Sequence, residues 1–195
     1  MVVRFEEGQL VPTAWKNGGG QTREIARMPS GSSMDSFDWR ASIAEVAVDG
    51  PFSKFAGFDR VLVLLSGDGV HLRSNDDGID HRLDRALIPF RFTGEHAVDA
   101  TLIGGSSRDF NIMTRRATAS ADVRIVVAHE TLPASSAGVI FVARGGCDVR
   151  SIDGSLSLGE TAGVWWDGEA LAWDVVPRIA DSAIIAVRID RHRDS

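Results

Sequence analysis

Apolar residues along this chain come in short runs rather than in long amphipathic stretches. Val61 to Leu65, Leu87 to Phe92, Ala97 to Ile103, Val123 to Ala128, Val139 to Ala143, Val164 to Trp166, Leu171 to Val176 and Ala183 to Ile189 each have strand length and a β-branched or aromatic bias. Turn signals fall between many of them: Ser66-Gly67-Asp68-Gly69, Asp76-Asp77-Gly78, Thr93-Gly94, Gly104-Gly105, Gly145-Gly146, Asp153-Gly154 and Asp167-Gly168. Short strands joined by Gly/Asp turns predict an all-β barrel or sandwich. Asp109 to Asp122 is the ambiguous stretch, since it lacks Gly and Pro and sets Phe110, Met113 and Ala117 at near-helical spacing.

An internal repeat favours strand there. Shifting the chain by 77 places Gly69 on Gly146, Leu72 on Val149 and Arg73 on Arg150, so LVLLSGDGVHLRS overlays VIFVARGGCDVRS. The offset then shrinks, bringing Gly94 onto Gly168 and Asp109 onto Asp181, which lays DFNIMTRR over DSAIIAVR. The second of these runs is plainly strand-like, so the first is read as strand too. The expectation is a duplicated antiparallel barrel, divided as residues 1–122 and 123–195 and packed as one unit without a linker.

In that overlay the polar groups survive only in the first copy. Strand side chains alternate, which puts Asp109, Asn111, Met113 and Arg115 on one face and Phe110, Ile112 and Thr114 on the other. An acid, an amide and a guanidinium on one face are costly to bury without partners and mark a candidate site. A solvated outer face is an equal alternative from this strand alone.

The sharpest local signal is Trp15-Lys16-Asn17-Gly18-Gly19-Gly20-Gln21-Thr22-Arg23-Glu24-Ile25. Three glycines free the backbone for positive φ and for close approach, so backbone donors at Gly18, Gly19 and Gly20 are candidates to face a ligand. The plain alternative is a tight turn before a strand. A phosphate loop is excluded, because Lys16 precedes the glycines instead of following them. Past the glycines, Thr22, Glu24 and Ala26 alternate with Arg23, Ile25 and Arg27. A second polar strand, Trp39 to Val46, puts Arg40 and Ser42 on one face, where a guanidinium can bind a carboxylate through two hydrogen bonds. The alternative pairs Arg40 with Glu45 or Asp38 at the surface.

Composition narrows the partners. The 195 residues carry 21 basic and 27 acidic side chains, a net charge of −6 that repels polyanions and disfavours nucleic acid. No apolar run approaches the roughly 18 residues of a membrane helix, and MVVRFEEGQL lacks a signal-peptide core, so a cytoplasmic location is expected. The single cysteine, Cys147, rules out an internal disulfide framework and reads as a small core residue.

WKNGGGQTREIA, FDWRASIAEVAVDGPFSKFAGFDRVLVLLSG, PFRFTG and DFNIMTRR, in this order, resemble the HutD/Ves family, from Trp15 to the C-terminus. The resemblance implies a bicupin, two packed double-stranded β-helix barrels, with a polar pocket in the first half. It also implies an association with bacterial histidine utilisation, through binding of an intermediate such as urocanate or N-formylglutamate, or, for Ves-type members, with a stress response.

The function expected is therefore non-catalytic binding of a small anionic carboxylate or formyl metabolite. Trp15, Lys16, Asn17, Gly18, Gly19, Gly20, Thr22, Arg23, Glu24, Arg40, Ser42, Asp109, Asn111 and Arg115 are the candidate ligand-binding residues, with Glu24 and Asp109 holding the arginines. The alternative is a metal-independent isomerase or hydrolase in the same pocket, with Glu24 or Asp109 moving protons. A third reading makes the second copy a protein-contact surface. A homodimer through edge strands is an expectation from cupins in general. No cofactor is expected: His71, His81, His96, His129 and His192 form no His-x-His pair of the kind many cupins use for metal. Elemental analysis of protein purified without an affinity tag is expected to find no stoichiometric zinc, iron or nickel; a stoichiometric metal would overturn that expectation.

Overall fold

The alternation read from the sequence is expressed as ladders. In the segment Val70–Ser74, Val70 and Leu72 are buried while His71 and Arg73 turn outward. In Gly146–Ser151, Cys147 and Val149 are buried while Asp148 and Arg150 turn outward. A computed structural model describes residues 1–76 and 78–192; Asp77, in one expected turn, and the last three residues lie outside the described residues. The strands are β1 (Val2–Glu6), β2 (Pro12–Ala14), β3 (Gly20–Met28), β4 (Trp39–Val46), β5 (Gly50–Pro51), β6 (Phe58–Ser66), β7 (Val70–Ser74), β8 (Asp80–Leu83), β9 (Pro89–Thr93), β10 (Val98–Leu102), β11 (Ser107–Arg115), β12 (Ala119–Val126), β13 (Glu130–Arg144), β14 (Gly146–Ser151), β15 (Gly154–Gly159), β16 (Ala162–Pro177) and β17 (Ala183–Arg191). No helix is long and apolar enough to cross a membrane among the described residues.

The ambiguous stretch from Asp109 to Asp122 is strand, as the repeat predicted, broken by a turn between β11 and β12. The run expected from Leu87 joins its ladder only at Pro89, because Leu87 adopts φ 62°, outside extended geometry.

Two units result. Val11–Thr118 forms one, with a six-stranded sheet ordered β2-β3-β4-β11-β6-β9 and a four-stranded sheet ordered β5-β10-β7-β8, all pairs antiparallel. Its core joins Val46, Leu62 and Leu64 of the first sheet to Val70, Leu72, Leu83, Val98 and Ala100 of the second. The other unit takes the chain from Ala119 onward together with Met1–Leu10. The first ten residues thus depart from the expected 1–122 half, because β1 pairs with β16 from Val2↔Trp166 to Glu6↔Ala162. The boundary falls at Thr118 because β12 pairs with β17 over its whole length.

Registers show where the two copies correspond. β11 meets β6 as Arg108↔Ser66 and then Asp109↔Leu64, skipping Leu65; β17 meets β13 as Ala183↔Arg144 and then Ile184↔Val142, skipping Ala143. Gly69 N–H donates to Ser107 Oγ at 2.8 Å, and Gly146 N–H donates to Ser182 Oγ at 3.2 Å. The shared bulge and shared serine place Asp109 on Ile184 and Asn111 on Ala186, correcting the sequence overlay that set Asp109 on Asp181. The turn Ser66-Gly67-Asp68-Gly69 is one residue longer than Arg144-Gly145-Gly146, which takes the offset between the copies from 78 at Arg60 to 77 at Gly69; by Asp109 it has fallen to 75.

In this register the two copies differ most at their inward-facing positions. Where the first has buried Asp109 and Asn111, the second has Ile184 and Ala186 inside its apolar core. Arg60, opposite Met113, corresponds to Gly138, opposite Arg188. A Cβ on Gly138 would lie 2.4 Å from the ring of Trp166, so that indole occupies the space a side chain would need. Trp166 Nε1 donates to the Ser135 carbonyl at 2.9 Å, and its ring lies 5.5 Å from that of Trp173. Cys147 is fully buried in the same core, and burial pushes its thiol up to about 11, which leaves it inert as a nucleophile. Trp166→Ala should lower stability by about 3–5 kcal/mol in urea unfolding; a loss below 1 kcal/mol would show that the indole does not fill this core.

Candidate functional site

Cross-strand partners in an antiparallel sheet share a face, so the registers of β3, β4, β11 and β6 define successive rungs on one side. Thr22, Ala44, Asp109 and Leu64 form one rung; Glu24, Ser42, Asn111 and Leu62 the next; Arg27, Arg40, Met113 and Arg60 the third. This side borders a cavity of about 790 Å³ that lies within the Val11–Thr118 unit. Trp15, Lys16 and Asn17, between β2 and β3, and Phe52, Ser53 and Phe55, after β5, add to its wall.

Four cationic side chains, Lys16, Arg27, Arg40 and Arg60, face two carboxyls, Glu24 and Asp109. Glu24 is occupied: it accepts a 2.7 Å hydrogen bond from Arg40 Nε and lies 3.4 Å from Arg27 Nε. Arg60 is buried to 6% exposure, its Nε has no hydrogen-bond partner, and its guanidinium carbon sits over the rings of Phe92 (5.1 Å), Phe52 (5.4 Å) and Phe55 (5.8 Å). An aromatic cage holds a cation by its ring quadrupoles without supplying hydrogen-bond acceptors. Burial, eased by Asp109 and added to by Arg40, lowers the Arg60 guanidinium to about 10, so it stays charged at neutral pH. Burial raises the Asp109 carboxyl to about 7 despite the opposing pull of Arg60. Ser42 Oγ and Asn111 Oδ1, on the rung between, are also buried without partners.

Several sequence expectations meet here. Trp15, Lys16, Asn17, Thr22, Glu24, Arg40, Asp109 and Asn111 border the cavity. Trp15 is fixed by its indole N–H donating to Thr22 Oγ1 at 2.8 Å. Arg40 pairs with Glu24 rather than with Glu45 or Asp38. Ser42 shares the face but lies beneath the lining, 1% exposed.

Others fall elsewhere. Arg23 alternates to the opposite face from Thr22 and Glu24. The amides of Gly18 and Gly19 close the turn on themselves, donating to the Trp15 carbonyl (3.0 Å) and to Asn17 Oδ1 (3.0 Å). Gly20 is needed for close approach, since a Cβ there would lie 2.1 Å from the Glu45 carbonyl oxygen. The triplet therefore shapes the site and does not line it. Arg115, at the end of β11, donates to the carbonyls of Phe37 (3.1 Å) and Asp35 (2.7 Å) and covers Phe58 at 4.5 Å, which makes it a clamp on the loop before β4.

Arg60 and Arg27 also line the cavity, beyond the residues that the sequence pattern marks. Arg60 had a readable signal, since positions 60, 62 and 64 alternate inward in an apolar strand. Arg27 had none: β3 slips its register between Glu24 and Ala26, which turns Arg27 onto the face of Glu24.

The HutD family model matches residues 7–183. The chain belongs to the HutD family. It is 39% identical to Protein Ves of Escherichia fergusonii over 166 residues, 85% of this chain and 83% of that one. The structure of HutD from Pseudomonas fluorescens SBW25 (formate condition) superposes with a TM-score of 0.83 at 27% identity, covering 99% of this chain and 100% of that one. A cupin 2 conserved barrel domain protein from Leptotrichia buccalis matches with a TM-score of 0.61 at 9% identity, over 96% of each chain, a likeness of fold alone. The all-β cupin architecture expected from the sequence is thus the one observed.

No three His, Cys, Asp or Glu side chains gather as a metal-holding group among the described residues, and no histidine borders the cavity. His71 pairs with Asp80 at 2.5 Å and His96 with Asp76 at 3.0 Å, both away from it.

Asp109 also sets a pH dependence of stability. Its folded value of about 7 exceeds the usual carboxylate value, so between the two the folded chain keeps a proton that the unfolded chain releases. Stability then falls as pH rises through that window and levels off above it. Asp109→Asn removes the loss and should stabilise the protein by about 2 kcal/mol more at pH 8 than at pH 5 in urea unfolding; equal effects at the two pH values would contradict a buried, raised carboxyl.

Proposed function

We propose that the first barrel binds a small carboxylate- or formyl-bearing metabolite without transforming it, and that the protein senses that metabolite in the cytoplasm, in the regulation of histidine utilisation or of a stress response. The observation that carries the reading is Arg60, a buried guanidinium with an unpartnered Nε beside Arg40 in a cavity with cationic excess. A buried cation that lies over aromatic faces, with Asp109 acting on it only at a distance, keeps its in-plane donors for an oxyanion. Trp15, Phe52, Phe55 and Met113 supply the apolar wall that small-molecule sites combine with a few polar groups. The HutD structure from Pseudomonas fluorescens is described for a formate condition, and formate is the smallest member of the class proposed. The cellular setting rests on family likeness alone.

A metal-independent isomerase or hydrolase is the second reading, favoured by Asp109, a carboxyl near 7 in the same cavity and suited to moving a proton. Turnover of urocanate or formyl-amino acids that disappears in Asp109→Asn would select it.

Thermal unfolding against formate, urocanate and N-formylglutamate tests the first reading. A ligand at 100 times its Kd should raise the melting temperature by about 5–10 °C. Arg40→Ala and Arg60→Met should each remove that response, and Arg40→Ala should leave the unliganded melting temperature nearly unchanged. An equal ligand response in all three proteins would refute the assigned roles.

A further inference from the structure

An anion held by Arg40 and Arg60 shares its cavity with Asp109, and the fold gives Asp109 no other place to turn. The carboxyl stands on a central strand, opposite Ala44 on one side and Leu64 on the other, two rungs from the pair Arg40 and Arg60. The charged groups facing the same space are Lys16 before β3, Glu24 and Arg27 on β3, Arg40 on β4 and Arg60 on β6. Glu24 already answers Arg27 and Arg40. Of these cations Arg60 is the one whose charge acts on Asp109, across the cavity and without a direct ion pair, and an incoming carboxylate competes for it.

Resting on the anion-site reading above, we propose that Asp109 couples capture to proton uptake: the cavity takes one carboxylate together with one proton from solvent, which Asp109 keeps, so that binding weakens as the medium becomes more alkaline. Ionised Asp109 plus ligand anion plus a proton give neutral Asp109 plus bound anion, and no covalent bond changes except the O–H on Asp109. Two effects act in one direction. The ligand diverts the guanidinium that favours ionised Asp109, and it adds a like charge to the same cavity. Reciprocity then requires that protonating Asp109 tighten the anion by the same factor. Burial has already brought the free group to about 7, so the coupling operates in an accessible range. No lining residue is a histidine, the side chain whose ordinary titration would fall in the same window.

Sodium formate is the probe, with affinity followed by NMR titration of the full chain between pH 6 and pH 9. Wild-type affinity should fall about tenfold per pH unit above about pH 7.5. Calorimetry at pH 8 in buffers of different ionisation enthalpy should give a proton uptake approaching one per formate bound. Asp109→Asn should bind formate with no pH slope and no proton uptake. A flat wild-type profile, a slope that survives in Asp109→Asn, or zero proton uptake at pH 8 would each overturn the coupling while leaving the anion site in place. Should the variant fail to fold, the wild-type proton count decides alone. Absence of formate binding at every pH, or binding unaffected by Arg60→Met, would instead overturn the anion site itself.

Discussion

The six-stranded sheet of the first unit buries a central strand on both faces, and much of what is distinctive about this protein follows from what that strand carries. β11 is flanked by β4 and β6, and its side chains project alternately to the cavity face and to the opposite, equally buried face. Phe110 and Ile112 pack as ordinary core. Asp109 and Asn111 cannot, because a carboxyl and an amide lose water on burial and need compensation. The barrel answers with an open cavity and with Arg60 on the adjoining strand. It does not close around them with apolar side chains.

The second unit shows the same scaffold without that demand. Its central strand carries Ile184 and Ala186 at the corresponding positions, Gly138 replaces the arginine, and Trp166 fills the vacated volume. The bulge and the serine clasp survive in both copies because they set backbone geometry, whereas the polar inward side chains belong to one copy only. Duplication left one barrel free to hold charge while the other buries apolar surface, the term that drives folding.

Within the cavity, charge is divided by burial. Glu24, partly exposed and doubly paired, orients Arg40 and Arg27. Asp109 and Arg60 sit deeper, where desolvation outweighs their mutual attraction and pulls both toward neutrality. Arg60 remains charged because its starting value is so high; Asp109, raised to about 7, is only partly ionised near neutral pH. The cavity is consequently a cationic pocket inside an acidic protein, matched to a small anion that the molecule's long-range field does little to attract.

The sequence by itself determined the strands, the duplication, the family and the polar character of the first copy, because alternation, turn residues and repeated motifs are local properties that one chain position shares with its neighbours. It also marked Glu24, Arg40, Asp109 and Asn111, which lie before the slip in β3, on the regular β4, and after the bulge between β11 and β6. It could not assign Arg115, Arg27 or the glycine amides. Arg115 lies at a strand end where carbonyls of another loop capture it, Arg27 changes face through a bulge with no sequence mark, and the amides are satisfied by their own turn. Only the tertiary structure decided that Arg60, which precedes the apolar run Val61 to Leu65, shares a cavity with Asp109 and acts on its charge, since which residues face one another across a sheet depends on register. Register is fixed by the packing of whole faces, and a bulge or a turn one residue longer moves every side chain beyond it.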